Sequence, residues 1–185
     1  MISRIDLRGR QPATLTRTLL ASVLPRAGTD VEAALALVRP ICEDVRQRGA
    51  AAVRDYTARF DGVDLATTRV PQQALDEALA ALDPDVRAAL EEAVRRTRRV
   101  HGAQLPGEIV TPVIDGLTVT GRFVPVSRAG VYVPGGLVAY PSSVVMNIVP
   151  AQAAGVPSIA VASPPQADNH GLPHPSVLAA CALLG

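Results

Sequence analysis

The run Ala129-Gly130-Val131-Tyr132-Val133-Pro134-Gly135-Gly136, followed by Pro141-Ser142-Ser143 and later by Ser158-Ile159-Ala160-Val161-Ala162, decides how this chain folds. Ala129 to Val133 reads as a strand. Pro134-Gly135-Gly136 must end it, because proline has no amide proton to donate and glycine admits backbone angles that other residues resist. Pro141-Ser142-Ser143 then opens a helix, with the serine hydroxyls as predicted caps and Val144 to Ala154 as its body, interrupted at Pro150 and closed by Gly155. Ser158 to Ala162 reads as a buried strand, Ser163-Pro164-Pro165 as the way into a polar loop, and Ser176 to Leu184 as the start of another helix. Strand, glycine turn, helix, strand, loop, helix is the order of a parallel sheet with crossover helices.

Working outward, the segment upstream of this run is also strand-like. Val110 to Ile114, the Asp115-Gly116 dipeptide and Leu117 to Val119 predict a hairpin with a turn of the favoured type, and Phe123 to Val126 predicts a further strand. Before about residue 105 the period changes to that of helices. Thr29 and Asp30 supply an N-cap ahead of Val31, Ala34, Leu35, Val38, Ile41 and Val45, an apolar set at three-and-four spacing that Pro40 should bend or split. Gly49 closes that stretch, and a short helix carries Val53, Tyr56 and Phe60 up to the Asp61-Gly62 turn. A third helical stretch begins near Pro71, breaks at Asp83-Pro84 and resumes through Val86, Leu90 and Val94 to His101. The fold class is therefore α/β: a helical N-terminal half followed by an incomplete Rossmann-like parallel sheet with crossover helices. Residues 1–24 are expected to form an arm, 25–125 a mainly helical region ending in the hairpin, and 126–185 the start of an α/β domain, truncated at the C-terminus. A sheet with a single β-α-β step leaves its edges bare, so the chain is expected to be a fragment.

Composition removes whole classes of function. Among 185 residues, 18 Lys+Arg against 17 Asp+Glu leave a formal charge of +1, which calls for neither nucleic acid nor an anionic membrane as partner. Every one of those cations is arginine. Without lysine there is no Walker A lysine and no Schiff-base lysine, which excludes P-loop NTPases, pyridoxal-phosphate enzymes and class I aldolases. An aromatic content of 3% with no Trp argues against base-stacking platforms. Cys42 and Cys181 make no C-x-x-C pair and stand in apolar surroundings, so two buried reduced thiols and a reducing, cytoplasmic compartment are expected. Met1 to Arg10 lacks the apolar core of a signal peptide, and no stretch is long enough to span a membrane.

In open parallel sheets ligands lie beyond the carboxyl ends of the strands, where helix N-termini offer free N–H groups. Pro134-Gly135-Gly136 is placed at such an end, although it is not the G-x-G-x-x-G fingerprint and no acidic residue follows at the ribose-binding distance. Arg95, Arg96, Arg98 and Arg99, one turn after Glu91 and Glu92, read as a solvated helix face with i,i+4 pairs. His170 and His174 have helical metal-ligand spacing, but Gly171 and Pro173 forbid the helix, and a solvated loop is expected. His101 needs no role beyond meeting the carbonyls at its helix end.

The whole string from Gly130 to Gly136, with Tyr140-Pro141-Ser142-Ser143-Val144-Val145-Met146-Asn147, Pro150-Ala151 and Ala154-Gly155-Val156, resembles the signature of the histidinol dehydrogenase family. The resemblance extends outward. Arg48-Gly49 with Tyr56 and Phe60-Asp61-Gly62 is similar to the family's R-G-D-x-A-x-x-x-Y-x-x-x-F-D stretch, with Ala50 in place of the acidic residue, and Ser163-Pro164-Pro165 and Pro175 to Leu184 also match. The resemblance implies a zinc-dependent homodimeric enzyme that uses two NAD to take L-histidinol through the aldehyde to L-histidine, with residues 126–185 as the start of its NAD-binding domain. It also implies that the zinc ligands and the Glu-His acid/base pair lie beyond residue 185, so that this chain alone holds no catalytic residue and no metal ligand and is inactive. The family's NAD-contacting tyrosine falls on Tyr132, whose phenol offers a stacking face and a hydroxyl. Gly135 and Gly136 are expected to allow close backbone approach to the cofactor. A non-catalytic binding or dimerisation module and a different NAD-using enzyme remain the alternative readings.

Overall fold

The computed structural model describes residue 6, residues 31–135 and residues 138–185. Two compact units, Met1–Gln47 and Arg48–Gly185, divide the chain. The expected arm over 1–24 and the Thr29-Asp30 cap lie outside the described residues, as does Gly136.

In the first unit the helix α1 (Val31–Arg48) runs unbroken through Pro40. The proline removes one backbone hydrogen bond but does not divide the helix, contrary to a split there. No residue of α1 is buried; Leu37 is 75% exposed, and Cys42 is exposed rather than buried. The sequence expectation fails for Cys42 because an apolar stripe buries its residues only where another surface covers it. Near the C-terminus of α1, Arg46 and Gln47 donate to Glu43, and the Arg46 guanidinium holds that carboxyl below its usual range.

The second unit begins with α2 (Ala50–Phe60), α3 (Gln72–Ala80) and α4 (Pro84–Ala103). The break at Asp83-Pro84 is a helix start of orthodox chemistry. Asp83 accepts from Asp85 N at 2.9 Å and Val86 N at 3.1 Å, and Pro84 occupies the first helical position, where its missing N–H costs nothing. On the outer face of α4, Arg87 pairs with Glu91, and Arg95 and Arg96 both reach Glu92, which is the solvated, ion-paired face expected of that cluster.

The hairpin β1 (Ile109–Ile114) and β2 (Leu117–Gly121) forms around Asp115-Gly116, with an irregular register between Pro112 and Ile114. Gly116 takes φ 79° while Asp115 does not go positive, so the turn is not the mirror-image type in which both residues do. All residues of both strands are exposed. The strand expected over Phe123 to Val126 is absent. These residues lie outside any ladder, with Phe123 71% exposed, and Pro125 removes a donor from the middle of the segment.

The parallel pair follows. β3 (Ala129–Tyr132) aligns with β4 (Ile159–Ala162) in the register Ala129↔Ile159 to Tyr132↔Ala162, and α5 (Pro141–Ala153) makes the crossover between them. A 3-10 turn, Ala167–Asn169, and α6 (Pro175–Leu184) complete the unit. This is the mixed α/β fold that the sequence predicts, with one parallel and one antiparallel two-stranded sheet. Helix α5 packs against both strands and against α4 and α6, and α3 packs on α6. The core they enclose contains Leu90, Val94, Val133, Val144, Val145, Ile148, Val149 and Val177. Both strands alternate half-buried and exposed positions, so β4 is a one-sided strand and not the fully buried one expected. Pro150 sits inside α5 without ending it.

Gly155 closes α5 at φ 78°, with its N–H on Gln152 O and the Val156 N–H on Ala151 O. That is the left-handed cap that favours glycine. Gln152 also fastens three helices. Its amide donates to Leu184 O at 2.8 Å, and its side-chain oxygen receives Arg98 from α4.

Leu90, 8% exposed within this core, and Val86, 43% exposed one turn earlier, separate packing from propensity. Leu90→Ala should lower stability by about 2–5 kcal/mol and Val86→Ala by less than about 1 kcal/mol, read from urea unfolding midpoints.

Candidate functional site

The carboxyl edge of the parallel pair is built by the two strands ending together. The ladder closes with Val133 N–H on Ala162 O at 2.9 Å; the next residue, Pro134, has no proton to continue it. Alternation sends Val131 and Val133 toward the core and leaves Gly130 and Tyr132 on the opposite face beside Ala160 and Ala162. Tyr132 is 65% exposed while Val133 is fully buried, so the last residue of β3 offers its ring and hydroxyl to solvent from a backbone anchored one residue later.

At Gly135 the turn meets the segment leaving β4. A Cβ built there would stand 3.2 Å from Ser163 Oγ and 3.3 Å from Pro164 Cδ. The close approach that this glycine permits in the structure is thus between two loops of the chain itself. Ser163 Oγ is buried and has no hydrogen-bond partner. In the sequence Ser163 stands out only as the residue between the end of a strand and two prolines and as part of the Ser163-Pro164-Pro165 match, with nothing that marks its hydroxyl as a site group.

Helix α5 starts beside this edge in sequence, but not with serine caps. Tyr140 holds the cap position, Pro141 is the first helical residue and no side chain caps the end. Ser142 and Ser143 therefore fall inside the first turn, past the position from which a hydroxyl accepts from the free N–H groups ahead of it. The Ser143 carbonyl instead receives the Asn147 amide at 2.7 Å.

The loop between β4 and α6 is a compact knot rather than a solvated run. Gln166 N–H bonds Leu172 O, Gly171 N–H bonds Gln166 O and the Asn169 amide reaches Pro173 O. His170 is held at φ 54°, and a Cβ on Gly171 (φ 76°) would lie 2.9 Å from Val63 Cγ1. His174 caps α6, its Nδ1 accepting from Ser176 N at 3.2 Å. The two histidines thus serve loop and helix geometry, and no group of three or more His, Cys, Asp or Glu that could hold a metal occurs among the described residues. His101 meets Gln104 Oε1 at 2.8 Å at the end of α4. Cys181 is half-buried rather than buried as expected, and its desolvation still pushes its pKa up to about 11. No helix among the described residues is long and apolar enough to cross a membrane.

A one-sided parallel pair with its crossover helix, set beside an antiparallel hairpin and packed helices, makes this a mixed α/β protein. The chain belongs to the histidinol dehydrogenase family, whose model matches residues 24–185. It is similar to the histidinol dehydrogenase of Thermobifida fusca, 62% identical over 185 residues that make up 100% of this chain and 41% of that protein. That of Streptomyces avermitilis is 60% identical over 100% of this chain and 42% of its own length, and that of Mycobacterium tuberculosis 57% over 100% and 41%. The crystal structure of histidinol dehydrogenase from Elizabethkingia anophelis superposes with a TM-score of 0.76 at 27% identity, over 81% of this chain and 34% of that one. The chain therefore spans about 41% of the length of the curated relatives it matches.

With its pKa pushed up to about 11, the Cys181 thiol is almost wholly neutral at pH 8 and should resist iodoacetamide there, whereas exposed Cys42 should react. Mass spectrometry of the labelled native chain should find one adduct, on Cys42. Labelling of Cys181 should begin only as the pH approaches its raised pKa, or on unfolding.

Proposed function

We propose that the protein this chain is drawn from is an NAD-dependent oxidoreductase of histidine biosynthesis, taking L-histidinol through L-histidinal to L-histidine. The observation that carries the reading is the family match over residues 24–185, joined to relatives of that name at up to 62% identity. Residues 126–185 are then the start of the cofactor-binding α/β region, and the remaining roles of the family, its homodimer and its cytoplasmic location come with the same reading.

The carboxyl edge suits a dinucleotide on two counts. Tyr132 presents an exposed ring and hydroxyl at the strand end, and Ser163 Oγ, one residue past the paired strand, is a buried polar atom with no partner. Tyr132 stacks on and hydrogen-bonds the cofactor, and Gly135 allows the close approach of the turn to Ser163 and Pro164. NAD, when bound, supplies the two-electron acceptor for the alcohol and aldehyde oxidations. Zinc is different. The described residues gather no three potential ligands, so they do not fit a metal centre. The family reading places zinc ligands and the acid/base pair in sequence beyond residue 185, and leaves residues 1–185 by themselves inactive.

The full-length protein should form NADH from NAD and L-histidinol. In it, Tyr132→Ala should raise the KM for NAD about ten- to thirtyfold while the KM for histidinol stays within about twofold, and Tyr132→Phe should keep the stacking share of the binding. Steady-state kinetics with each substrate varied in turn checks this. Normal NAD binding by a Tyr132→Ala protein of reduced thermal stability would make Tyr132 a packing residue.

A further inference from the structure

We infer that Ser163 is a positioning residue for the dinucleotide, its hydroxyl kept free of partners beneath the Pro134-Gly135 turn so that it hydrogen-bonds the turn's peptide once the cofactor is seated. The inference rests on the reading of the carboxyl edge as the NAD site. Three observations converge on it. First, Ser163 Oγ is buried without a hydrogen bond, a condition that lowers the stability of the folded chain, since an alanine in the same contact would lose nothing. Second, its position is fixed from both sides. Ala162 is tied to the ladder through the Val133 N–H, and Pro164 and Pro165 restrict the backbone that follows.

Third, the turn that follows Tyr132 lies close against it, since a Cβ built on Gly135 would stand 3.2 Å from Ser163 Oγ. A hydroxyl is both donor and acceptor and turns about one bond. The Gly135 peptide carries an N–H and a carbonyl, and among the described residues its N–H makes no backbone hydrogen bond. Because Oγ is covered, it acts through the turn and not by touching the ligand. A hydrogen bond formed only in the bound state converts the stability lost in the free protein into affinity for the dinucleotide, and it fixes the backbone next to the tyrosine that the ligand meets.

The test uses the full-length protein and Ser163→Ala, with Ser163→Cys as a variant that keeps the bulk of the side chain and removes the strong donor. NAD dissociation constants by titration calorimetry, melting temperatures without ligand and histidinol KM values are measured together. In both variants NAD should bind about three- to tenfold more weakly, the ligand-free melting temperature should stay level or rise, and the histidinol KM should stay within about twofold. Unchanged NAD affinity would overturn the proposal while leaving the functional reading intact. A lower ligand-free melting temperature in Ser163→Ala would overturn it as well, by showing a hydroxyl already partnered in the free fold. An unsubstituted protein that binds no NAD would instead remove the reading on which the proposal stands.

Discussion

The burial of Val133 against helix α5 is the contact on which the rest of the second unit depends. Val133, Val144 and Val149 are completely enclosed, with Val145, Ile148 and Val177 nearly so. These branched side chains fill the space between the strand pair and its crossover helix, where a void of even one methyl group is felt. Because the Val133 N–H also makes the last ladder bond to Ala162, the same residue sets the depth of β3 in the core and the point at which both strands end. Tyr132, Gly135 and Ser163 take their places from that anchor.

One-sidedness is the second consequence of this arrangement. Helix α5 packs on the strands from the face that carries Val131, Val133, Ile159 and Val161, so the small residues Gly130, Ala160 and Ala162 and the ring of Tyr132 are left on the other. Parallel sheets are ordinarily covered on both faces. The hairpin β1–β2, whose residues are exposed on both sides, shows the same unsatisfied demand, since a lone two-stranded hairpin is marginal in water.

At the candidate edge, stability and ligand chemistry pull in different directions. Gly135 and Pro164 there serve close packing of two loops, and the packing encloses a hydroxyl that the chain leaves unpaired. Elsewhere the polar groups found ordinary partners. His174 became a helix cap, His101 met Gln104 and Gln152 joined three helices.

What the sequence determined by itself was local in origin. Asp83-Pro84, Gly49, Asp115-Gly116 and Gly155 mark element ends through backbone conformation and capping within a few residues, and those ends stand where they were read. The strand-turn-helix-strand order from Ala129 to Ala162 and the family resemblance were legible for the same reason, as both are written in contiguous residues. Tertiary structure decided whatever depends on a surface supplied from afar. It left Cys42 open and Cys181 half-buried, denied Phe123 to Val126 a neighbouring strand, and moved the cap of α5 from serine to Tyr140. It also brought Ser163 under Gly135, 28 positions apart in sequence, where neither residue's local pattern carries any trace of the other. Burial and hydrogen-bond satisfaction are properties of the neighbours a fold assembles, and periodicity along a chain cannot encode which neighbours those are.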